Sequence, residues 1–218
     1  MAKLYAYGCS HTFGHGLKDC AVFVDKGKDS YYDPGLVPSK LVWAQLLANR
    51  LGLTCVNRSE PGSSVKQQVF SLMQDPITDC DTVVCLWPVF DRSCIFKDLT
   101  GTFEHLLAGM KESEYSTDNL LFYKKFYSRE EQLITSGMLI NLAYFKLKSI
   151  GAKQTHLTAD PNDGKELMNL AWNSVTLDYA SWWSNLHKYP RAIDGSHLGE
   201  KGQLVFTKIV HKRLRNSA

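Results

Sequence analysis

The hexapeptide at residues 82–87, TVVCLW, constrains the fold more than any other part of the sequence. Its side chains are apolar almost without interruption. A strand that faced water on one side would alternate apolar and polar residues. The run therefore predicts a strand covered on both faces, as in a parallel sheet between helices. Three further short β-prone runs occur at residues 3–7, 54–57 and 154–158.

Segments with a helical pattern alternate with these four runs. Their apolar residues recur at a spacing of three and four, which is typical of a helix with one buried face. Glycine or a capping residue stands at several of their ends. The predicted helices cover about 41–52, 64–73, 128–151 and 200–214.

Side chains at the starts and along the faces of these helices make the prediction more specific. Ser63 or Ser64 can cap the second helix, and Ser128 with Glu131 forms a capping box for the third. The third helix then carries an apolar stripe of Ile134, Met138, Leu142 and Phe145. On the last helix, the residues predicted to face inward are Leu204, Ile209 and Val210.

The alternation of strands and helices predicts the fold class. It favours an α/β protein with three layers and a mostly parallel central sheet. At 218 residues, the chain is expected to form a single domain, 1–218. Residues 91–127 lack a clean period and are taken as an insertion, part helix and part loop. A small hairpin is expected around residues 21–25, and a loop at 160–164, DPNDG.

Charge and cysteine content limit the classes of partner and the compartment. The chain has 25 Lys and Arg against 22 Asp and Glu, a net charge of +3, which gives no indication of nucleic-acid binding. No apolar run reaches the roughly 18 residues of a membrane span, and no signal peptide is recognised. The six cysteines lack metal-site spacing, so we expect free thiols. A cytoplasmic location is therefore expected.

Two chemically reactive segments lie at opposite ends of the sequence. Ser10 follows the first predicted strand, while Asp194 and His197 precede the last helix. Loops that follow parallel strands meet at one edge of the sheet, so these residues are expected to lie together. A serine needs a base to take its proton, which His197 can do, and Asp194 can orient that imidazole. Each motif alone is more often a turn or a surface loop.

An acyl-transfer serine also needs hydrogen-bond donors for the oxyanion that develops on the substrate. The backbone N–H of Ser10 is one candidate. Gly62 is the second, because a glycine lets the backbone approach a ligand closely. The alternative for Gly62 is a simple Pro-Gly turn.

These residues together resemble the SGNH (GDSL-type) hydrolases, and especially the diverged SGNH-like proteins of tailed bacteriophages. The first block of that family is similar to residues 8–10, with Ser10 as nucleophile and Cys9 where the family often has Asp. The second block resembles residues 57–64, and the last resembles residues 194–197. The resemblance implies a flavodoxin-like α/β/α sandwich. It also implies that Ser10, His197 and Asp194 are catalytic.

The resemblance assigns further residues to oxyanion and substrate binding and leaves one position open. The residues so assigned are Asn57, Gly62, Ser63, Ser64, Arg92 and His11. The third block of the family usually supplies an Asn side chain to the oxyanion, whereas residues 87–92 here read WPVFDR. Arg92, or the hydroxyl of Ser63 or Ser64, could substitute for that donor.

The expected function is a serine esterase or acetylesterase acting on a carbohydrate or a small ester. No cofactor and no metal are required, although His11, His15 and His197 raise the question of a metal. The expected partner is a small-molecule or glycan ester, with no nucleic acid and no membrane. If a bacteriophage encodes the chain, the host cytoplasm is its expected location, with the virion as an alternative.

Two alternative functions remain open at this point. The chain could be a binding or structural phage protein that keeps the fold but has lost efficient catalysis. It could also hydrolyse a nucleotide or another small metabolite. The oligomeric state is not predicted by the sequence.

Overall fold

The central sheet has four parallel strands in the order β4-β1-β5-β8. The computed structural model describes residues 1–98, 101–108, 117–177, 186 and 188–216. The sheet strands are β1 (Lys3–Tyr7), β4 (Thr54–Asn57), β5 (Thr82–Trp87) and β8 (Lys153–Thr158). Every residue of β5 is buried, as its continuous apolar run predicts. The predicted mostly parallel sheet is confirmed.

Helices cover both faces of this sheet. They are α1 (Ser10–Phe13), α2 (Trp43–Leu51), α3 (Val65–Gln74), α4 (Thr117–Lys125), α5 (Arg129–Ile150), α6 (Pro161–Met168) and α7 (Glu200–Asn216). Alternate residues of β1 point to opposite faces, so Leu4 packs with α2 and α7 while Tyr5 packs with α3 and α5. The two apolar clusters form the two cores of an α/β/α sandwich.

The ends of the main helices match the capping predicted from the sequence. Ser64 caps α3 by accepting a hydrogen bond from the amide of Gln67. Ser128 caps α5 in the same way through the amide of Glu131. Gly151 ends α5 in the left-handed conformation that favours glycine. Local side-chain chemistry therefore fixes where these helices begin and end.

The prediction of a loop at residues 160–164 is wrong. Asp160 is instead the N-cap of α6, and its carboxylate accepts hydrogen bonds from the amides of Asn162 and Asp163. Pro161 occupies the first turn, where its missing N–H costs nothing. The residue types that suit a turn are also those that start a helix, which explains the error.

On two helices the apolar residues recur with the predicted helical spacing, but some of them face solvent and not the core. The helix at α5 is confirmed, yet its predicted stripe faces solvent, with Met138 61% exposed. The opposite face of α5, which includes Ile140 and Leu147, packs against the sheet. On α7, Val210 is buried as expected, whereas Leu204 is 50% exposed, so that prediction is wrong.

Two small antiparallel hairpins lie outside the main sheet. The strands β2 (Val22–Val24) and β3 (Tyr31–Asp33) form the hairpin predicted near residue 21. The strands β6 (Ser93–Phe96) and β7 (Phe103–Leu106) form a second hairpin within the expected insertion, which the sequence did not predict. The helix α4 follows it, while residues 99–100 and 109–116 of the insertion lie outside the described residues.

The cysteine prediction also agrees with the structure. All six cysteines are free thiols, and four of them are buried. Among the described residues, none of the helices combines the length and the apolar character that crossing a membrane requires.

Candidate active site

Ser10 lies where β1 ends, as the first residue of the short helix α1. Its side chain is largely buried. The Ser10 carbonyl accepts hydrogen bonds from the amides of Gly14 and His15, both at 3.0 Å, which tightens the turn. The Ser10 hydroxyl makes no hydrogen bond within the described part of the chain, to His197 or to any other residue. Catalytic hydrogen bonds are often long in ligand-free structures.

The loop after β4 packs directly against the Ser10 turn. The carbonyl of Gly8 accepts hydrogen bonds from the amide of Glu60 at 3.2 Å and from Ser63 Oγ at 2.9 Å. Asn57 Nδ2 donates to the carbonyl of Thr12 at 2.8 Å. The first and second motif segments therefore form one continuous surface at the carboxyl edge of the sheet.

Gly62 lies in this second loop with a positive φ of 82°, a conformation that favours glycine. No residue in the described part of the chain accepts a hydrogen bond from its amide. The imidazole of His105 borders it: a Cβ added at Gly62 would lie 3.6 Å from that ring. The backbone at Gly62 therefore has a donor available for a ligand.

The loop before α7 meets the Ser10 turn from the other side. The amide of Ile193 donates to the carbonyl of Gly16 at 3.0 Å. The rings of His11 and His197 lie 4.8 Å apart between centroids. Residues near the two ends of the sequence are thus in contact, which is the juxtaposition that the Ser10–His197 hypothesis requires.

Asp194 and His197 form a tightly bonded pair. The distance from His197 Nδ1 to Asp194 Oδ2 is 2.5 Å. The other carboxylate oxygen, Oδ1, accepts from the amides of Ser196 and His197, both at 3.1 Å. This bonding fixes the orientation of the ring and leaves Nε2 as the nitrogen that can accept a proton.

The pKa values of this pair reflect burial and mutual bonding. Burial lowers the pKa of His197, and the hydrogen bond that its Nδ1–H donates to Asp194 opposes that effect without cancelling it. Burial alone would raise the pKa of Asp194, but the hydrogen bonds from His197 and two amides outweigh it and lower the value. His197 is therefore neutral, and Asp194 ionised, at neutral pH.

His15 stacks on His197, with ring centroids 4.5 Å apart. Its Nε2 lies 4.0 Å from Asp194 Oδ2 and 2.9 Å from the carbonyl of Tyr32. His15, Asp194 and His197 offer ligand atoms within 4.8 Å of one another, a group that could hold a metal ion. A carbonyl can only accept, so His15 Nε2 carries a proton here. A metal bound through His15 Nε2 or His197 Nδ1 would have to displace the hydrogen bond that the atom makes here.

Arg92, from the segment after β5, adds positive charge to the site. Its Nη1 atom is buried and has no hydrogen-bond partner among the described residues. Burial is the main cause that lowers the pKa of His11, to about 3, and the charges of His197, Arg92 and Arg191 add to it. Arg92 also contributes to lowering the pKa of His197. A buried guanidinium nitrogen without a partner is costly unless a ligand satisfies it.

Three of the predicted binding residues use their polar atoms within the protein. Asn57 bonds to Thr12 and to Ser59, Ser63 bonds to Gly8 and Gln68, and Ser64 caps α3. Their direct contact with a substrate stays a prediction, and the structure describes them as supports of the two loops.

Sequence reasoning missed His105, which lies in β7 and borders Gly62. Its Nε2 lies 3.2 Å from Glu60 Oε1, and its Nδ1 is buried without a hydrogen-bond partner among the described residues. The insertion has no periodic pattern, so nothing in the sequence could have placed this ring beside the second loop.

Two clefts open elsewhere on the molecule. One of about 570 Å³ is lined by Val89 and Asp91, which precede Arg92 in the sequence, and by the Arg129–Asp163 ion pair. The other, of about 650 Å³, follows the outer side of β8. Neither of these two clefts is lined by Ser10 or His197.

Solved structures with a similar fold include several proteins that are named as esterases or lipolytic proteins. A carbohydrate esterase described as having divergent catalytic and non-catalytic binding functions matches with a TM-score of 0.58 and 10% identity over 99% of this chain. A lipolytic protein of the G-D-S-L family from Desulfitobacterium hafniense matches with a TM-score of 0.51 and 12% sequence identity. The match covers 97% of this chain and 99% of that protein. A catalytic mutant of an acetylxylan esterase from Geobacillus stearothermophilus matches with a TM-score of 0.53 and 13% sequence identity. The match covers 98% of this chain and 94% of that enzyme.

These similarities concern the fold, because the sequence identities are low. No family model and no curated protein matches the sequence. The chain spans 65% of the length of the carbohydrate esterase with divergent binding functions. It spans 66% of a carbohydrate esterase family 2 enzyme with a carbohydrate-binding domain from Corynascus thermopiles. The predicted resemblance to the SGNH hydrolases is confirmed at the level of architecture: the chain has their α/β fold.

Proposed function

We propose that this chain, which has the fold of the SGNH hydrolases, is a serine esterase that removes acyl or acetyl groups from carbohydrate or small ester substrates. The observation that carries the proposal is the contact between the Ser10 turn and the Asp194–His197 loop. The His11 and His197 rings are 4.8 Å apart, and His197 is held by Asp194 at 2.5 Å. This contact supports the proposal that the Ser10 hydroxyl, the neutral imidazole of His197 and the ionised Asp194 carboxylate act together.

In the proposed reaction, the oxygen of Ser10 attacks the carbonyl carbon of the ester while His197 Nε2 takes the serine proton. Asp194 accepts the Nδ1–H bond and stabilises the imidazolium that forms. The tetrahedral intermediate collapses, and the alcohol leaves with the proton from His197. Water then attacks the acyl-serine with His197 again acting as base, which releases the acid and restores Ser10.

Three donors are proposed for the oxyanion of the intermediates. The amide of Ser10 is the first N–H of a helix and has no partner within that helix. The amide of Gly62 is the second. Arg92 is the third and replaces the Asn that SGNH hydrolases usually carry, because its Nη1 is buried without a partner among the described residues and its charge lowers the pKa of His11 and His197. Removing one such donor typically lowers turnover by about 10²–10³-fold.

The test begins with a fluorophosphonate probe and short p-nitrophenyl esters. The folded protein should be labelled at Ser10, and Ser10→Ala should lose both labelling and hydrolysis. Ser149→Ala, at an exposed serine on α5, is the matched control and should retain both. Ester hydrolysis that persists unchanged in Ser10→Ala would exclude Ser10 as nucleophile.

The proposal of a carbohydrate substrate has support from the fold relatives that are named as carbohydrate or acetylxylan esterases. Acetate release from acetylated xylo-oligosaccharides, compared with release from p-nitrophenyl acetate, tests it. A glycan specialist should show a kcat/KM at least tenfold higher on the glycan. Equal values would indicate a general small-ester hydrolase.

A second candidate function is a binding module that keeps this site without efficient turnover. The absence of an Asn at residues 87–92 favours it, as does the relative described as combining catalytic and non-catalytic binding. Calorimetric titration of Ser10→Ala with unacetylated xylo-oligosaccharides distinguishes the two. Tight glycan binding with no Ser10-dependent hydrolysis by the unaltered chain would establish the binding module.

A further inference from the structure

An exposed apolar stripe runs along the solvent face of α5. Four large side chains form it, and their exposed fractions are 46% for Ile134, 61% for Met138, 53% for Leu142 and 50% for Phe145. The spacing of four, four and three residues places all four on one side of the helix. The stripe is about 17 Å long, since a helix rises 1.5 Å per residue.

This stripe is not the face that holds α5 to its own domain. The buried side of the helix consists of other residues, including Ile140, Ala143 and Leu147. Four half-exposed large side chains present on the order of 400 Å² of apolar surface, which is within the ~300–600 Å² of the largest patch on a typical monomer, and such a patch is often functional. The stripe is therefore available to a partner.

The charges at the two ends of the stripe have opposite sign. Exposed Glu131 lies in the first turn of α5, and exposed Lys148 lies in the last. A helix that packs antiparallel on an identical copy brings the acidic end of one against the basic end of the other. The same arrangement also opposes the two helix dipoles.

We propose that the stripe is the interface of a homodimer, in which α5 of one chain packs antiparallel on α5 of a second copy. The two-fold axis passes near residues 139–140, so the same patch is used by both copies. Three pairs then face each other across the axis: Ile134 with Phe145, Met138 with Leu142, and Glu131 with Lys148. Each large side chain of the stripe meets another large apolar side chain.

The chemistry of this face favours a second copy over a lipid surface. Helices that lie on membranes carry lysine and arginine around their apolar face. Here the exposed polar residues are Glu130, Glu131, Thr135, Lys148 and Ser149, which provide two negative charges and one positive charge. The apolar area of two copies is about 800 Å², and the flanking residues raise it towards the ~1,200 Å² of the smallest stable interfaces. A dimer of micromolar affinity is expected.

The first test is the mass of the full chain in solution, measured by sedimentation over about 1–200 µM. The unaltered protein should pass from monomer to dimer in this range. Met138→Glu should raise the dimer Kd at least tenfold and keep the thermal unfolding temperature of the monomer. The control is Leu204→Glu, at a residue that is also 50% exposed but lies on α7, and it should dimerise normally.

The second test addresses the antiparallel orientation. Glu131→Lys and Lys148→Glu should each weaken self-association, because each places like charges opposite one another. An equimolar mixture of the two variants should associate more tightly than either alone, since both contacts then pair opposite charges. A chain that is monomeric at 200 µM, or a dimer unaffected by Met138→Glu, would overturn the proposal. So would a mixture that gains nothing, or capture of a different protein or of lipid vesicles by a monomeric chain.

Discussion

Gly16 offers a way to disturb the Asp194–His197 pair without altering either residue. The glycine has a φ of 81°, and a Cβ added to it would lie 2.6 and 2.7 Å from the two oxygens of Asp194. Ordinary contact begins near 3.4 Å, so in Gly16→Ala the carboxylate must retreat by roughly 0.8 Å. The 2.5 Å bond to His197 cannot survive that shift unchanged.

Gly16→Ala is expected to have two separate effects, a loss of stability from backbone strain and a loss of catalytic rate. An alanine in the left-handed region costs about 1 kcal/mol of stability, which in a chain of this size lowers Tm by about 2–4 °C. A displacement of about 1 Å in catalytic machinery costs about 10²-fold in rate. Gly16→Ala should therefore lose roughly 30- to 100-fold in kcat on p-nitrophenyl acetate.

Gly52→Ala is the matched control. Gly52 has a φ of 68° and nothing within 4 Å of an added Cβ, so alanine there carries the backbone strain alone. Both variants should melt a few degrees below the unaltered protein, and only Gly16→Ala should lose activity. If the two variants hydrolyse the ester at rates within twofold of each other, the reasoning about Asp194 is refuted.

Further predictions concern pH and stability. Because the pKa of His197 is lowered, its basic form persists below pH 6.5, and the midpoint of the acid limb of the kcat/KM profile should lie below pH 6.5. A midpoint above pH 6.5 would contradict the assignment of His197 as the base. Arg92→Gln removes a positive charge near His197. The acid limb should therefore move to higher pH, while kcat falls by about 10²-fold. Loss of kcat without movement of the acid limb would mean that the charge of Arg92 does not act on the pKa of His197. Ser64→Ala removes the N-cap of α3 and should cost about 1 kcal/mol in urea unfolding, with kcat preserved in the folded protein. Tyr7→Phe removes a buried hydroxyl that donates to Asp75 at 2.6 Å, and it should lower the free energy of unfolding in urea by about 1–2 kcal/mol. An unchanged urea midpoint would mean that Arg58 alone satisfies the Asp75 carboxylate.

The centre of the sheet was predictable because every residue of β5 is buried, whereas the edge strand β4 is partly exposed. β1, β4 and β5 have the bounds that the sequence indicated, and β8 begins one residue earlier. Burial of both faces leaves a continuous apolar run that few other structures produce. The direction of helix faces was harder to predict, as Leu204 demonstrates, because periodicity identifies a stripe without saying whether core or solvent meets it.

The candidate site was predictable where topology alone brings residues together. Parallel strands place their following loops at one edge, which is enough to bring the Ser10 turn and the His197 loop into contact. Side-chain stacking cannot be inferred in this way, so the contact of His15 with His197 was not foreseen. The position of His105 depends on a hairpin that has no sequence signal.

The wide separation of Ser10 and His197 along the chain has a consequence for biosynthesis. The loop of His197 leads into α7, which is anchored to α2 through a hydrogen bond of 3.1 Å from the amide of Trp43 to Gln203 Oε1. While a ribosome is still making the last helix, Ser10 has emerged but the loop of His197, the proposed base, has no place to dock. Any ester hydrolysis that depends on both residues should therefore begin only after α7 has left the ribosome and packed on α2.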